Sequence, residues 1–413
     1  MPARRDRDAV TMRDAETLHE TARDLRTKFM RLHAEAVYDH LTAMRTRMMR
    51  IDELIDLAGQ QFGGLTPSAD LLLAERERCQ KEKEGWDVDL GIVMRGFLSV
   101  PSIGTHLIDA MLMPMAGAIE LLDDFRKDGF VNLDSVLIKR QGNAAYVTLN
   151  RPDVLNAENH QLLRDLELAV DLALLDDEVR VGVLRGGQMR HQKYRGKRVF
   201  CAGIDLRALC AGQISLIDFF LSRELGLLNK LRRGVLVRAE ATGQDRFSDK
   251  PWVGVVETFA IGGGMQLLLS LDYVIAEEGA YVCLPAANDG IVPGAANLRL
   301  TRYFGSRLAR EIVFIGAKVQ TSDSESRLLF NKVCASDDVQ RSIESAIALL
   351  TLPAVGAGRV MLNLAEEPID DFRAYIAEFA VTQARRSLSK DVTSKLEEQW
   401  AASRRQRFVD ATS

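Results

Sequence analysis

The sequence predicts an α/β fold in three stretches: an all-helical N-terminal extension over residues 1–130, an α/β core over 131–345 and a helical C-terminal region over 346–413. Three observations carry this. Before residue 130, apolar side chains recur at three- to four-residue spacing with few β-branched runs, which is the period of helices. From Ser135 the pattern changes to short strand-type runs alternating with amphipathic stretches, as stacked βαβ units require. Within the core, the strand-type run Trp252–Val256 leads to three glycines, Gly262, Gly263 and Gly264, and then to an apolar helix from Met265 to Leu271. A strand, glycine turn and helix N-terminus in that order present backbone N–H groups to whatever lies above them. Glycine is needed because a side chain would block the approach.

The elements follow in order. Leu18, Leu25, Phe29 and Leu32 mark a first helix, with charges at the other positions. The run Gly63–Ser68 breaks the pattern and places Ser68 to cap the next helix. Pro101-Ser102 and the methionine-rich Met111–Met115 mark further breaks, and the methionines read as core filler. Val136–Ile138 and Ala145–Leu149 read as a hairpin turning at Gln141-Gly142-Asn143. Asn159–Leu175 is an amphipathic helix, Val181–Leu184 the next strand and Ser215–Asn229 a further helix. Helical pattern returns over Ala346–Leu350 and Phe372–Ser387, and the polar end is expected to fray.

Bulk properties exclude several classes. At 47% hydrophobic and 27% charged, the 413 residues have an ordinary globular composition, with length for more than one domain. A net charge of −4 leaves no global basic footprint for nucleic acid. Five scattered cysteines form no C-x-x-C pair, which fits a reduced cytoplasmic interior. The N-terminus MPARRDRDAV lacks an apolar signal core, and no uninterrupted apolar run of roughly 18 residues predicts a membrane span. The histidines are dispersed, without zinc or two-His-one-carboxylate spacing, and no G-x-G-x-x-G follows a strand. No metal and no dinucleotide is expected.

Three ordered blocks carry a family resemblance. They are Leu149-Asn150-Arg151-Pro152 with Leu155-Asn156-Ala157, then Phe200-Cys201-Ala202-Gly203-Ile204-Asp205-Leu206, then Gly262-Gly263-Gly264-Met265-Gln266 with Asp272 and Gly290-Ile291-Val292-Pro293-Gly294-Ala295. Together they resemble the crotonase, or enoyl-CoA hydratase/isomerase, superfamily over roughly residues 135–345. The resemblance implies a spiral of ββα turns and an acyl-CoA substrate. It also implies that the backbone N–H groups of Ile204 and Gly263 form an oxyanion hole for the thioester oxygen. Donors fixed in a dry site stabilise an enolate as its charge develops, and losing one typically costs about 10²–10³ in rate. Members of the family are commonly trimers or dimers of trimers, which implies a homo-trimer or hexamer.

The departures from the family pattern bear on the reaction. Family hydratases use two glutamates, and the matching positions here are Gln266 and Ala286. An amide is no general base at neutral pH and alanine has nothing to titrate, so hydration by the usual pair is not expected. Polar residues stand instead at Glu158 and at Arg223, which shares a helix face with Phe219, Phe220 and Leu227. An Arg on an apolar face needs a partner or an anion.

Glu158, Arg223 and Gln266, with the long helical extension, resemble one oxygenase branch that uses neither metal nor organic cofactor. It turns an arylacetyl-CoA bearing two ring hydroxyls, 3,5-dihydroxyphenylacetyl-CoA, and dioxygen into 3,5-dihydroxyphenylglyoxylate and free CoA. The product leads to dihydroxyphenylglycine, an arylglycine of peptide antibiotics. By that resemblance Glu158, Arg223 and Gln266 bind the substrate ring, CoA is part of the substrate and O2 is co-substrate. The substrate enolate itself then gives electrons to oxygen.

Arg195, Lys197 and Arg198, in a loop with five cations in nine residues, are candidates for the CoA phosphates, with a solvated basic loop as the alternative. Asp289 reads as the turn residue before Gly290, and no base is assigned. Other readings stay open: isomerase, decarboxylase or thioesterase chemistry on another acyl-CoA, or a non-catalytic acyl-CoA-binding paralogue.

Overall fold

The computed structural model describes residues 2–395, so the polar end expected to fray lies largely outside the described residues. Asp8 opens the first helix, α1 (Ala9–Leu41), by accepting the Thr11 N–H. The residues that predicted this helix do not face inward: Leu18 is 59% and Leu32 70% exposed, and Leu25 and Phe29 also face solvent. The buried stripe is Ala15, Met30, Ala34, Val37, Tyr38 and Leu41. Close helix approach decides this. A Cβ on Gly96 of the helix Trp86–Ser99 would come within 2.7 Å of the Met30 side chain, so the contact face takes small residues at several positions.

Next come α2 (Ile51–Gln61) and α3 (Ala69–Arg76), the latter capped by Ser68 Oγ as expected, then α4 (Trp86–Ser99), α5 (Pro101–Met111) and α6 (Ala116–Asp128). The stretch Pro101–Asp128 is long and apolar enough to cross a membrane by length and composition. Ile103, Leu107, Ile108 and Met111 pack into the hydrophobic core, however, so α5 behaves as a core helix.

The α/β region opens with β1 (Phe130–Asn132), β2 (Val136–Gln141), β3 (Ala144–Leu149), α7 (His160–Leu175) and β4 (Val181–Gly186). Then come α8 (Leu206–Cys210), a long helical segment ending in α9 (Leu228–Arg233), and the short strands β5 (Val235–Leu236) and β6 (Phe247–Ser248). The glycine stretch follows as β7 (Trp252–Val256), β8 (Phe259–Ile261) and α10 (Gly263–Leu268). After it lie β9 (Tyr273–Glu277), β10 (Tyr281–Cys283), α11 (Ala286–Asp289), α12 (Ala296–Tyr303), α13 (Gly305–Ile315), β11 (Lys318–Gln320) and β12 (Lys332–Cys334). The helices α14 (Val339–Leu350), α15 (Pro353–Glu366) and α16 (Ile369–Ser387) follow.

The main sheet orders its strands β1-β2-β3-β4-β7-β9-β12, and a second sheet orders β11-β10-β8. The β2–β3 hairpin is antiparallel, and from β3 to β12 neighbouring strands run parallel, as alternating strands and helices require. Asp272 precedes β9 rather than lying in it, and its carboxylate accepts the Trp252 N–H at 2.8 Å.

One hydrophobic core runs from Tyr38, Leu54 and Phe97 of the helical extension to Leu166, Phe220 and Leu267 of the α/β region. A buried ion cluster pins the two together. Lys230 lies 2.9 Å from Glu167 and 2.8 Å from Asp171, Arg50 donates to Glu167 at 2.9 Å, and Asp171 accepts the Met115 N–H at 2.7 Å.

Candidate active site

The segment after Ser215 was expected to be one regular helix; much of it is wound wider. Ser215 caps it, and π-type turns run over Leu216–Leu221 and Arg223–Leu227 before α9 begins. Such turns put an extra residue into each coil and recur at functional sites. Here they bring Phe219, Phe220, Arg223 and Glu224 together onto one pocket wall. Behind them the chain is pressed against the ion cluster: a Cβ on Gly226 would lie 2.9 Å from Glu167 Oε1.

The opposite construction is made of backbone. Strand β8 ends at Ile261, and the φ of +55° at Gly262 lets the chain turn into α10. Glu158 N–H donates to Gly203 O at 2.7 Å and Asp205 N–H to Glu158 O at 2.8 Å, which fixes Ile204 between them. Gly203 has φ +88°, and a Cβ there would lie 3.4 Å from Gly263 N, so the two loops abut. Neither Ile204 N–H nor Gly263 N–H donates to another group among the described residues. Two unspent donors on touching loops can hold one anionic oxygen.

The first sequence block braces this arrangement. Asn156 accepts the Arg151 N–H at 2.8 Å and donates to Val199 O at 2.8 Å, while Arg151 reaches Ala157 O and Asp205.

Between wall and loops sits Arg223, which is buried. Nη2 donates to Glu158 Oε1 at 2.9 Å and to the Gly263 carbonyl at 2.8 Å. Nη1 donates to Gln266 Oε1 at 2.9 Å and to Glu224 Oε1 at 3.2 Å. Burial by itself would lower the Arg223 pKa, but Glu158 and Glu224 more than offset it and hold the cation above its ordinary value. Burial raises the Glu224 carboxyl despite Arg223 beside it. Gly263 is tied to the same charges, since a Cβ there would fall 1.8 Å from Glu158 Oε2.

These groups line one cleft whose remaining walls are largely apolar, including Ile204, Leu206, Ile261, Leu284, Ile291 and Phe379. Helix α16 straps the Gly290–Gly294 loop in place: Arg386 donates to Gly290 O at 2.9 Å, Gln383 accepts the Val292 N–H at 2.8 Å and Tyr375 donates to Gly294 O at 2.6 Å.

Ile204, Gly263, Glu158, Arg223 and Gln266 therefore converge on one cleft, where Ala286 also stands. The basic loop does not line it. Arg195 and Lys197 are exposed, and Arg198 turns to Gly186 O and Glu257 in a separate polar depression. Sequence reading missed Glu224, Phe379 and the placement of Asp289 in the cleft. Glu224 follows Arg223 in sequence, but only the wide helical winding turns both side chains to the same wall. No cluster of three or more His, Cys, Asp or Glu side chains suited to a metal ion occurs among the described residues.

A family model described as enoyl-CoA hydratase/isomerase matches residues 139–399. The chain is 48% identical over 396 residues, 96% of its length and 91% of the relative's, to a protein named (3,5-dihydroxyphenyl)acetyl-CoA 1,2-dioxygenase from Amycolatopsis orientalis. It is 28% identical over 239 residues, 56% of its length and 82% of the relative's, to a probable enoyl-CoA hydratase of Rhizobium meliloti. Among solved structures, an enoyl-CoA hydratase from Mycobacterium avium subsp. paratuberculosis K-10 superposes with a TM-score of 0.53 at 20% identity, over 65% of this chain and 99% of that one.

Proposed function

Because this chain belongs to the enoyl-CoA hydratase/isomerase family, and its 48% identical relative is named for the activity, we propose that it is a dioxygenase converting (3,5-dihydroxyphenyl)acetyl-CoA and O2 to 3,5-dihydroxyphenylglyoxylate and CoA. The observation that carries the reading is the fourfold coordination of Arg223 by Glu158, Gln266, Glu224 and the Gly263 carbonyl beside an oxyanion hole. A hydratase needs two free carboxylates there. This cleft offers Gln266 and Ala286 at the corresponding positions, and Glu158 and Glu224 are bound to Arg223.

In the proposed reaction the Ile204 and Gly263 N–H groups take the negative charge of the thioester enolate. Glu158, Arg223 and Gln266 hold the ring hydroxyls and fix the ring's orientation, so that the enolate charge spreads into the aromatic system. The electron-rich α-carbon then reacts with O2 in a largely apolar cleft without metal or organic cofactor. Both oxygen atoms enter the glyoxylate, and the thioester bond breaks to release CoA. Exposed Arg195 and Lys197 are the groups proposed to meet the CoA phosphates.

We place the enzyme in the cytoplasm, a reading that scattered cysteines without a C-x-x-C pair support. We also propose a homo-trimer or hexamer, which the exposed apolar side chains Phe314, Ile315, Leu352 and Met361 support. The reaction is tested by turnover under ¹⁸O2. Two labelled atoms per glyoxylate are expected; one label from O2 and one from water would overturn the dioxygenase reading.

A further inference from the structure

Enolisation needs a group to take the α-proton, and the cleft is lined by three carboxylates, Glu158, Glu224 and Asp289. Two are committed. Glu158 accepts from Arg223 at 2.9 Å, and Glu224 accepts from Arg223 at 3.2 Å and from the Ala295 N–H at 3.0 Å. Protonating either would take a counter-charge away from the buried Arg223 guanidinium.

Asp289 differs from both. It ends α11, whose first residue, Ala286, lines the same wall. Its side chain is half-buried, and among the described residues its carboxylate receives no hydrogen bond. Leu284 and Ile291, close to it in sequence, line the same cleft.

The charged and titratable groups around Asp289 come from several elements. They are Cys283 at the end of β10, Lys318 near that cysteine, Arg386 and Asp391 paired with each other, and Lys395, whose Nζ donates to Asn288 O at 3.1 Å. Arg223 with Glu158 and Glu224 also lines the cleft. Burial lifts the Asp289 carboxyl to about 6, with Lys395 opposing it in part. A base poised there is ionised at neutral pH and still basic enough to accept a proton.

We infer that Asp289 is the catalytic base that removes the α-proton of the bound arylacetyl thioester. This rests on the reaction proposed above. The carboxylate oxygen takes the proton and the C–H electron pair becomes the enolate, whose oxygen charge is held by Ile204 and Gly263 N–H. Dioxygen, the co-substrate, then takes electrons from the enolate, and the proton leaves Asp289 toward water on its exposed side.

The test is α-hydrogen exchange of (3,5-dihydroxyphenyl)acetyl-CoA in D2O without oxygen, followed by NMR, for the unaltered full-length enzyme, Asp289→Asn and Asp289→Glu. Asp289→Asn is expected to exchange roughly 10²–10⁴-fold more slowly with substrate affinity retained, and Asp289→Glu to keep part of the rate. The unaltered enzyme is expected to gain exchange activity as pH rises through about 6. Exchange by Asp289→Asn at the unaltered rate, or no acid limb in the unaltered enzyme, would overturn the assignment. Exchange by the unaltered enzyme that Asp289→Asn loses, without any oxygen uptake in air, would retire the dioxygenase reading while supporting Asp289 as base.

Discussion

Arg223 holds its Nη2 2.9 Å from Glu158 Oε1, and both side chains are shut off from water. Each needs the other. An unpaired buried charge is strongly unfavourable, and breaking a buried pair by removing one partner typically costs about 3–5 kcal/mol. The same guanidinium grips the Gly263 carbonyl, so the pair also sets the position of the glycine turn.

Arg223→Ala should therefore lower kcat/KM for the dihydroxylated arylacetyl thioester more than for phenylacetyl-CoA. Arg223→Lys should rescue little, because a point charge cannot make the four directed contacts of the guanidinium fork. Comparing kcat/KM on the two thioesters checks this; equal losses on both would count against a ring-hydroxyl role.

Gly263→Val should abolish turnover. The first added carbon would already lie 1.8 Å from Glu158 Oε2, forcing either the turn or the Glu158–Arg223 pair to move. Near-normal single-turnover rates would mean that the oxyanion site lies elsewhere.

Gln266→Glu should not produce a hydratase. Ala286 leaves the second carboxylate missing, and the new acid would fall against Arg223, which already serves Glu158 and Glu224. Robust hydration of crotonyl-CoA by this variant would contradict the account.

Glu367 gives a pH-dependent stability prediction. Burial would raise its carboxyl, but Arg299, Arg232 and Arg233 outweigh burial and hold it at about 2, against an ordinary value of 4.5. A depressed carboxylate adds stability above its unfolded pKa and loses it as pH falls toward the folded value. Glu367→Gln should therefore cost up to about 3 kcal/mol at neutral pH, and less than half of that near pH 3. Urea unfolding at the two pH values checks it; a cost independent of pH would remove Glu367 from the account of acid stability.

Much of the site was legible in the sequence because its backbone parts need particular residues. Gly203 and Gly262 turn at positive φ, Gly263 leaves room for Glu158, and Asn156 locks its loop by side-chain hydrogen bonds, so each leaves a local mark. Glu158 stood out where the family has an aliphatic residue, Arg223 on an apolar helix face and Gln266 in place of a family glutamate, and the structure joins them directly.

What was not legible depends on distant packing. The wide winding after Ser215 has no local code, so Glu224 was missed. The inward face of α1 is chosen by the close approach of α4 at Gly96, not by the largest apolar side chains. Phe379 reaches the cleft only because α16 straps the Gly290–Gly294 loop, a contact spanning some ninety residues of sequence.

The most direct test is oxygen uptake by chelator-treated, flavin-free enzyme given (3,5-dihydroxyphenyl)acetyl-CoA in an oxygen electrode, with released CoA measured in parallel. The account predicts undiminished uptake, one O2 per CoA. An enzyme silenced by that treatment and revived by adding back a metal or a flavin would contradict it.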